Sequence, residues 1–262
     1  MNYFLNKTLP LFILLFTISF AGKAQHGPKE FYQLKTYIIK NEKQERTVDT
    51  YLENAFLPTL KRYGIKNIGV FKIIPNKYKK SDKIYVLIPF ASLSQFEELE
   101  QYLITDKMHQ TDGAVYLEAQ YNDPPYERIN SILMRSFIEM PKLQPSAVTG
   151  VRDQRVYELR SYESPTEATY KNKVDMFNAG GEVQLFSDLG FNAVFYAEVI
   201  SGDQMPNLMY MTTFENMAER DSKWNAFSSS DKWTSLKAEE KYQNNMNKAA
   251  IMLLYPTEYS DY

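Results

Sequence analysis

Apolar residues recur in two rhythms along this chain: every second position over short stretches, and every third or fourth position over longer ones. The order of those rhythms occurs twice. Phe31-Tyr32-Gln33-Leu34-Lys35-Thr36-Tyr37 reads as a strand, and Val156-Tyr157-Glu158-Leu159-Arg160-Ser161-Tyr162 repeats it: apolar, Tyr, Gln/Glu, Leu, base, hydroxyl, Tyr. An echo of this quality describes one unit written twice. In the first copy Val48, Tyr51, Leu52, Ala55, Phe56, Leu60 and Tyr63 form the apolar stripe of a helix. Pro58 lies inside that stripe and predicts a kink, because it removes a backbone donor. Gly64 supplies a left-handed helix stop. Strands over Ile68–Ile74 and Lys83–Phe90 follow, on either side of a Lys-rich loop. A second helix starts near Ser92 or Ser94, with Ser94 and Glu97 in capping-box register. Phe96, Leu99, Tyr102 and Leu103 are its buried stripe. Asp106 to Arg128 is less regular, and Asn122-Asp123-Pro124-Pro125 excludes an element interior there. Ile129–Ile138 closes the copy.

Pro141-Lys142-Leu143-Gln144-Pro145 and the polar stretch to Gly150 form a linker. The second copy restarts at Val156. Ser164-Pro165-Thr166-Glu167 predicts a helix start, with Ser164 as cap, Pro165 at the first position and Glu167 reaching back. Tyr170, Val174, Phe177, Leu185, Phe186 and Leu189 carry its apolar face, broken by Gly180-Gly181 about where Pro58 disturbs the first copy. Gly190 repeats the stop at Gly64. Strands over Asn192–Val199 and Leu208–Phe214 come next, then a helix from Asn216 and Glu219 through Trp224, a short segment with Trp233 and Leu236, and a closing strand Ile251–Tyr255. Each copy reads strand, helix, strand, strand, helix, strand, the ferredoxin-like α+β order.

Composition narrows the class. The 262 residues are 44% hydrophobic and 15% aromatic, ample for a packed core. Net charge is −2, and no long run of one sign occurs apart from Lys77-Tyr78-Lys79-Lys80, so the electrostatic footprint of a nucleic-acid binder is missing. At the N-terminus, Lys7, the apolar run Leu11–Ala21 and the small residues Gly22 and Ala24 before Gln25 have the layout of a signal peptide. The run is shorter than the roughly 20 residues a membrane span needs. The expected organisation is therefore 1–24 signal peptide, 29–140 first repeat, 141–153 linker and 154–262 second repeat. Export to the periplasm or the exterior follows, with no stable membrane anchor after cleavage. The chain has no cysteine, which excludes disulfides, a thiol nucleophile, Cys-ligated metal and lipid attachment through Cys.

The chain resembles the NIPSNAP family. In the second copy the resemblance rests on Tyr157-Glu158-Leu159-Arg160-Ser161-Tyr162, Leu189-Gly190-Phe191, Phe214-Glu215-Asn216-Met217-Ala218-Glu219-Arg220, and Trp224 with Trp233. In the first it rests on Leu57-Pro58-Thr59-Leu60-Lys61-Arg62-Tyr63-Gly64, and it weakens after Leu103. It implies the dimeric α/β barrel, in which two ferredoxin-like units join their sheets. With both units on one chain, it implies an intramolecular barrel, a monomeric pseudo-dimer or a homo-oligomer of one. The family has no agreed chemical activity, so the resemblance leaves function open.

Candidate chemistry lies on the two opening strands. Tyr32, Leu34, Tyr157 and Leu159 share one face, and Gln33, Lys35, Tyr37, Glu158, Arg160 and Tyr162 the other. If helices cover the first face, the polar set points between the sheets, joined by Tyr196 and Tyr210. A base, a carboxylate and tyrosines there would bind a small organic anion or an aromatic compound. The same set also fits a satisfied ion pair, Glu158 with Arg160 or Lys35, filling a polar core. No metal or other cofactor is expected. His26 sits beside the cleavage site, and His109, though a lone histidine is an axial haem ligand in haem-binding relatives of this barrel, falls in the irregular segment and is expected at the surface. No Gly-x-Ser-x-Gly elbow or phosphate-cradling glycine loop occurs. Trp224 lies on a helix stripe and is expected in the core rather than on a partner-binding surface. The expected function is a non-catalytic barrel that binds a small organic ligand or a protein partner. The second reading is a cofactor-independent oxygenase-like enzyme acting on a small aromatic or organic-acid substrate between the sheets.

Overall fold

Two antiparallel four-stranded sheets join edge to edge into a closed barrel of order β1-β3-β2-β8-β5-β7-β6-β4. The computed structural model describes residues 27–75 and 82–262; the expected signal peptide, His26 and the stretch Lys77-Tyr78-Lys79-Lys80 lie outside the described residues. The first unit comprises β1 (Phe31–Ile38), α1 (Glu42–Tyr51), a π-helical turn (Leu52–Phe56), α2 (Leu57–Arg62), β2 (Gly69–Ile73), β3 (Lys83–Phe90), α3 (Leu93–Thr105), α4 (Lys107–Asp112), α5 (Ala114–Leu117) and β4 (Arg128–Ser136). The second comprises β5 (Val156–Glu163), α6 (Glu167–Phe177), α7 (Glu182–Asp188), β6 (Asn192–Ser201), β7 (Asn207–Phe214), α8 (Met217–Ser229), α9 (Asp231–Ala238) and β8 (Lys248–Pro256). Each opening strand lies between its unit's third and fourth strands, so β1 pairs with β3 and β4, and β5 with β7 and β8. Pairing of β2 with β8 and of β4 with β6 closes the barrel and leaves no sheet edge open.

Side chains from both units fill the interior. Tyr32, Leu34, Phe71, Tyr85, Leu87, Met134, Tyr157, Leu159, Phe195, Met209, Met211, Leu254 and the C-terminal Tyr262 form one buried cluster. Rings meet across it, Tyr32 against Phe195 at 5.4 Å and Phe71 against Tyr157 at 5.0 Å and Tyr262 at 5.6 Å between centroids. Gly69 makes room for this stack, since a Cβ there would come within 2.3 Å of the Phe71 ring. The helices cover the outer face of each sheet over separate cores, one built around Val48, Leu52, Phe56, Val86 and Ile88, the other around Phe177, Phe186, Tyr210, Phe214 and Phe227.

This arrangement inverts the expected orientation of the opening strands. Tyr32, Leu34, Tyr157 and Leu159 face the barrel interior, whereas Lys35, Tyr37, Glu158, Arg160, Tyr162, Tyr196 and Tyr210 lie in the layers between sheet and helices. The interior is shared by two sheets and filled by apolar and aromatic side chains. A long basic side chain on the outer face can run along the layer toward solvent or meet a group on a covering helix.

Local differences follow from competing caps. At Pro58 the helix widens rather than breaks: Leu57 N–H reaches back to Leu52 O, and the π turn absorbs the missing donor at the start of α2. Ser92, not Ser94, caps α3, accepting from Gln95 N at 3.1 Å. Thr166, not Ser164, caps α6, in a reciprocal box with Thr169; Ser164 Oγ instead donates to Asn245 O at 2.7 Å. Gly181 is left-handed (φ 84°) and separates α6 from α7, while Gly64 (φ 97°) and Gly190 (φ 70°) end their helices as expected. His109, expected at the surface, is buried: Nδ1 donates to Leu103 O (2.8 Å) and Nε2 accepts from Tyr51 OH (3.0 Å). Among the described residues no helix is long and apolar enough to cross a membrane.

Candidate functional site

Glu158 is the most constrained polar group of the second unit. Strand alternation turns its carboxylate from the barrel interior into the helix layer, where it is 0% exposed. Three side chains converge on it through four hydrogen bonds. Arg160 Nε donates to Oε1 at 2.7 Å, Arg220 Nε to Oε2 at 2.7 Å, Arg220 Nη2 to Oε1 at 3.1 Å, and Trp224 Nε1 to Oε2 at 2.8 Å. Arg220 and Trp224 stand one turn apart on α8, the spacing that puts two side chains on one helix face. The Arg160 guanidinium lies 3.5 Å above the Trp224 ring, and its Nη1 donates to Tyr162 OH at 3.0 Å. Tyr162 OH and Tyr210 OH are 2.7 Å apart. Burial disfavours the Arg160 charge, but Tyr210, Tyr162 and Glu158 outweigh it and hold its pKa above the ordinary arginine value. Of the two readings of Glu158 and Arg160, the geometry is that of a satisfied ion pair, placed under a helix instead of between the sheets. Sequence reasoning missed Arg220 and Trp224 as partners; their i, i+4 spacing was the available signal.

A second buried pair lies deeper in the same layer. Lys173 Nζ sits 3.0 Å from Glu182 Oε2 and 4.9 Å from the Phe177 ring centroid. Burial pushes the Glu182 pKa up against the opposing pull of Lys173. Burial also raises Tyr196, whose hydroxyl has no hydrogen-bond partner. Tyr196 borders a cleft of about 310 Å³ with Asn178, Gln184 and Phe191 and the linker residues Met140 and Gln144.

The matching place in the first unit is built differently. Gln33 stands where Glu158 does and donates to Ser131 Oγ at 2.8 Å. Lys35 stands where Arg160 does. Counting from the helix caps Ser92 and Asn216, Phe96 replaces Arg220 after one turn and Glu100 replaces Trp224 after two. Lys35 Nζ lies over Tyr37 (5.2 Å) and Phe56 (5.1 Å), and no described carboxylate comes within ion-pair distance of it. Burial lowers its pKa to about 8, opposed by the more distant Glu100. The Tyr37 hydroxyl approaches Tyr116 without reaching hydrogen-bond geometry, and burial holds its pKa well above the usual value. The seven expected site residues thus fall into two separate layers, Lys35 and Tyr37 in one, Glu158, Arg160, Tyr162, Tyr196 and Tyr210 in the other. Among the described residues no group of three or more His, Asp or Glu is placed to hold a metal ion.

Comparison with known proteins bears on the second unit directly. The NIPSNAP family model matches residues 157–261, a span that contains Glu158, Arg160, Tyr162, Arg220 and Trp224. No curated protein sequence matches the chain. Among solved structures, a protein of Fusobacterium nucleatum subsp. nucleatum described as a "putative monooxygenase" is similar at 8% identity over 87% of this chain and 93% of its own, with a TM-score of 0.55. One from Lactobacillus acidophilus NCFM, described in the same words, is 11% identical over 87% of this chain and 94% of its own, with a TM-score of 0.54. A NIPSNAP family protein of unknown function from Agrobacterium tumefaciens is 18% identical over 44% of this chain and 98% of its own, with a TM-score of 0.36. At such identities the first two likenesses concern the fold. They cover both units and agree with the α/β barrel built here from two ferredoxin-like halves. It is in the second repeat, over residues 157–261, that the chain is similar to the NIPSNAP family.

Proposed function

We propose that this barrel is a non-catalytic binding protein that takes a small organic anion at Lys35, in the helix layer of the first unit. One observation carries the reading: the Arg160 charge is met by a carboxylate, whereas the corresponding Lys35 charge has none within reach among the described residues. A largely buried cation without a counter-ion is costly, and an anionic ligand relieves that cost. The apolar rings of Tyr37 and Phe56 suit a ligand with an organic body. The second unit supports the same division of labour, because Glu158 is saturated with donors and has no lone pair free for acid–base work.

The oxygenase-like alternative places a substrate between the sheets. Tyr32, Phe71, Tyr157, Phe195 and Tyr262 occupy that space, which weighs against it. The export suggested by Leu11–Ala21 remains part of the proposal; mass spectrometry of the native protein should find a start near Gln25, and an intact Met1 would refute it.

Titration calorimetry of the full chain with benzoate and acetate tests the Lys35 reading. Saturable binding at pH 7 that weakens above about pH 8 and is lost in Lys35→Met, but kept in Tyr196→Phe, is the expected result. Absence of saturable binding, or equal binding by Lys35→Met, overturns it.

A further inference from the structure

We propose that Lys35 is a carbonyl-reactive amine and that the ligand of its site is a 2-oxo acid, held as a Schiff base. The inference rests on the binding reading above and deepens it from an anion to an anion with a ketone beside its carboxylate.

Among the described residues, the buried lysines Lys72 and Lys173 are both ion-paired. Lys72 is held between Glu45 (2.8 Å) and Asp49 (2.7 Å) and Lys173 on Glu182 (3.0 Å), and the exposed Lys248 likewise pairs with Glu163 (2.9 Å). Each of these amines is engaged by a carboxylate. Lys35 faces a different set of groups. On its own strand are Gln33, which is occupied by Ser131 of β4, and the Tyr37 ring; from the helical side comes the Phe56 ring; α3 contributes Glu100, the charged residue that acts on it from a distance. Each of these is neutral or remote. The amine is therefore desolvated with no anion to hold its proton, the environment that makes a lysine nucleophilic. Its pKa of about 8 agrees with that geometry. At pH 7 its free-amine fraction exceeds that of an unperturbed lysine by about 300-fold.

The step balances without a further reagent. The Nζ lone pair adds to C2 of the 2-oxo acid, and the carbonyl π pair takes up a proton to become the carbinolamine hydroxyl. That hydroxyl then leaves as water as the C=N bond forms. Amine and ketone give imine and water, with no change of oxidation state. Once protonated, the imine keeps a positive charge beside the ligand carboxylate. The Tyr37 hydroxyl is buried, uncommitted and kept in its protonated form by burial, so it stays available as a hydrogen-bond donor in this layer.

The same arrangement explains why the second unit cannot share the chemistry. Arginine does not lose its proton in this range, and Arg160 is engaged by Glu158, Tyr162 and Trp224.

The experiment pairs phenylpyruvate with 3-phenyllactate, which differ in the carbonyl alone. The full chain is incubated with each, treated with borohydride and mapped by peptide mass spectrometry. Phenylpyruvate should leave a reduced adduct on Lys35 at least about tenfold above any other lysine, with half-maximal labelling near pH 8, and phenyllactate should leave none. Lys35→Arg should remove the adduct. The wild-type map already compares lysines within one molecule, so the result stands even if that variant fails to fold. Labelling spread evenly over the lysines, or none on Lys35 up to pH 9, overturns the Schiff base. If both acids bind reversibly and neither is trapped, the anion site survives and this inference falls. If neither binds, both fall.

Discussion

Replacing Glu158 by Gln should show whether the buried cluster of the second unit holds the fold. The carboxylate is 0% exposed and receives donors from Arg160, Arg220 and Trp224, so its removal leaves two guanidinium groups facing an amide. The two cations are not equally stranded. Arg220 keeps Asp221, to which it donates at 2.7 Å, and can swing outward from the end of the layer. Arg160, with 11% of its side chain exposed, is clamped on the Trp224 ring at 3.5 Å and tied to Tyr162. Removing one partner of a buried pair costs about 3–5 kcal/mol, and one stranded cation places Glu158→Gln in that range. Adding Arg160→Met removes the stranded charge and lets an apolar side chain pack on Trp224. The double variant should therefore recover more than about 1 kcal/mol relative to the sum of the singles, the size of coupling expected of contacting residues. Urea unfolding of the four proteins at pH 7 measures both quantities. A Glu158→Gln midpoint within about 1 kcal/mol of wild type, or additive singles, would refute a structural role for the cluster.

Burial lowers the pKa of Lys35 in the folded chain to about 8 from the ordinary lysine value of 10.5, so between those pH values the unfolded chain binds more protons and stability should rise with pH. Lys35→Met should be more stable than wild type by about 2–3 kcal/mol at pH 7, and the advantage should shrink across that window; a flat difference from pH 7 to 10.5 would refute the assignment. Tyr157 and Tyr262 carry buried hydroxyls without partners, so Tyr157→Phe and Tyr262→Phe should hold or raise stability, whereas Tyr262→Ala should cost about 3 kcal/mol through the cavity it opens. Residues 154–262 expressed alone expose one face of the interior and two strand edges, so light scattering should find a dimer or aggregate; a soluble monomer would contradict the closure described here.

The fold was legible in the sequence because the repeated unit marks itself at its strands and helix stops. The echo of β1 in β5, and the matched left-handed glycines Gly64 and Gly190, mark the corresponding strand and helix stop of each half. The facing of the opening strands was not legible. Alternation separates Tyr32 and Leu34 from Gln33 and Lys35, but both sets are covered in a barrel with helices outside, and alternation alone does not say which cover is which. Cap choice failed for a related reason. Ser92 and Ser94, like Ser164 and Thr166, offer equivalent hydroxyls, and the distant Asn245 carbonyl decides the second case by engaging Ser164. His109 was misplaced because α4 and α5 are too short to show a helical period, although Asp106 caps the first of them, accepting from His109 N at 2.7 Å.

The comparison between the two layers yields a last test, in which the first unit is rebuilt toward the second. Interior positions of the barrel are answerable to both sheets, and both opening strands keep Tyr and Leu there. The helix layers answer to one unit each and have diverged, Glu158 against Gln33 and Arg220 with Trp224 against Phe96 with Glu100. Gln33→Glu places a carboxylate in the relation to Lys35 that Glu158 has to Arg160, two positions apart on one strand face. The new anion should capture the ammonium and raise the Lys35 pKa toward its ordinary value. Three consequences then go together. The rise of stability between pH 8 and 10.5 should disappear, benzoate binding at pH 7 should weaken, and borohydride trapping of phenylpyruvate on Lys35 should fall to the level of the paired lysines. Restoring the neutral side chain with Gln33→Met should keep all three wild-type behaviours, which separates the effect of charge from the loss of the Ser131 hydrogen bond. If Gln33→Glu leaves the pH slope and the trapping unchanged, Lys35 is not the unpaired cation on which both the binding and the covalent readings depend.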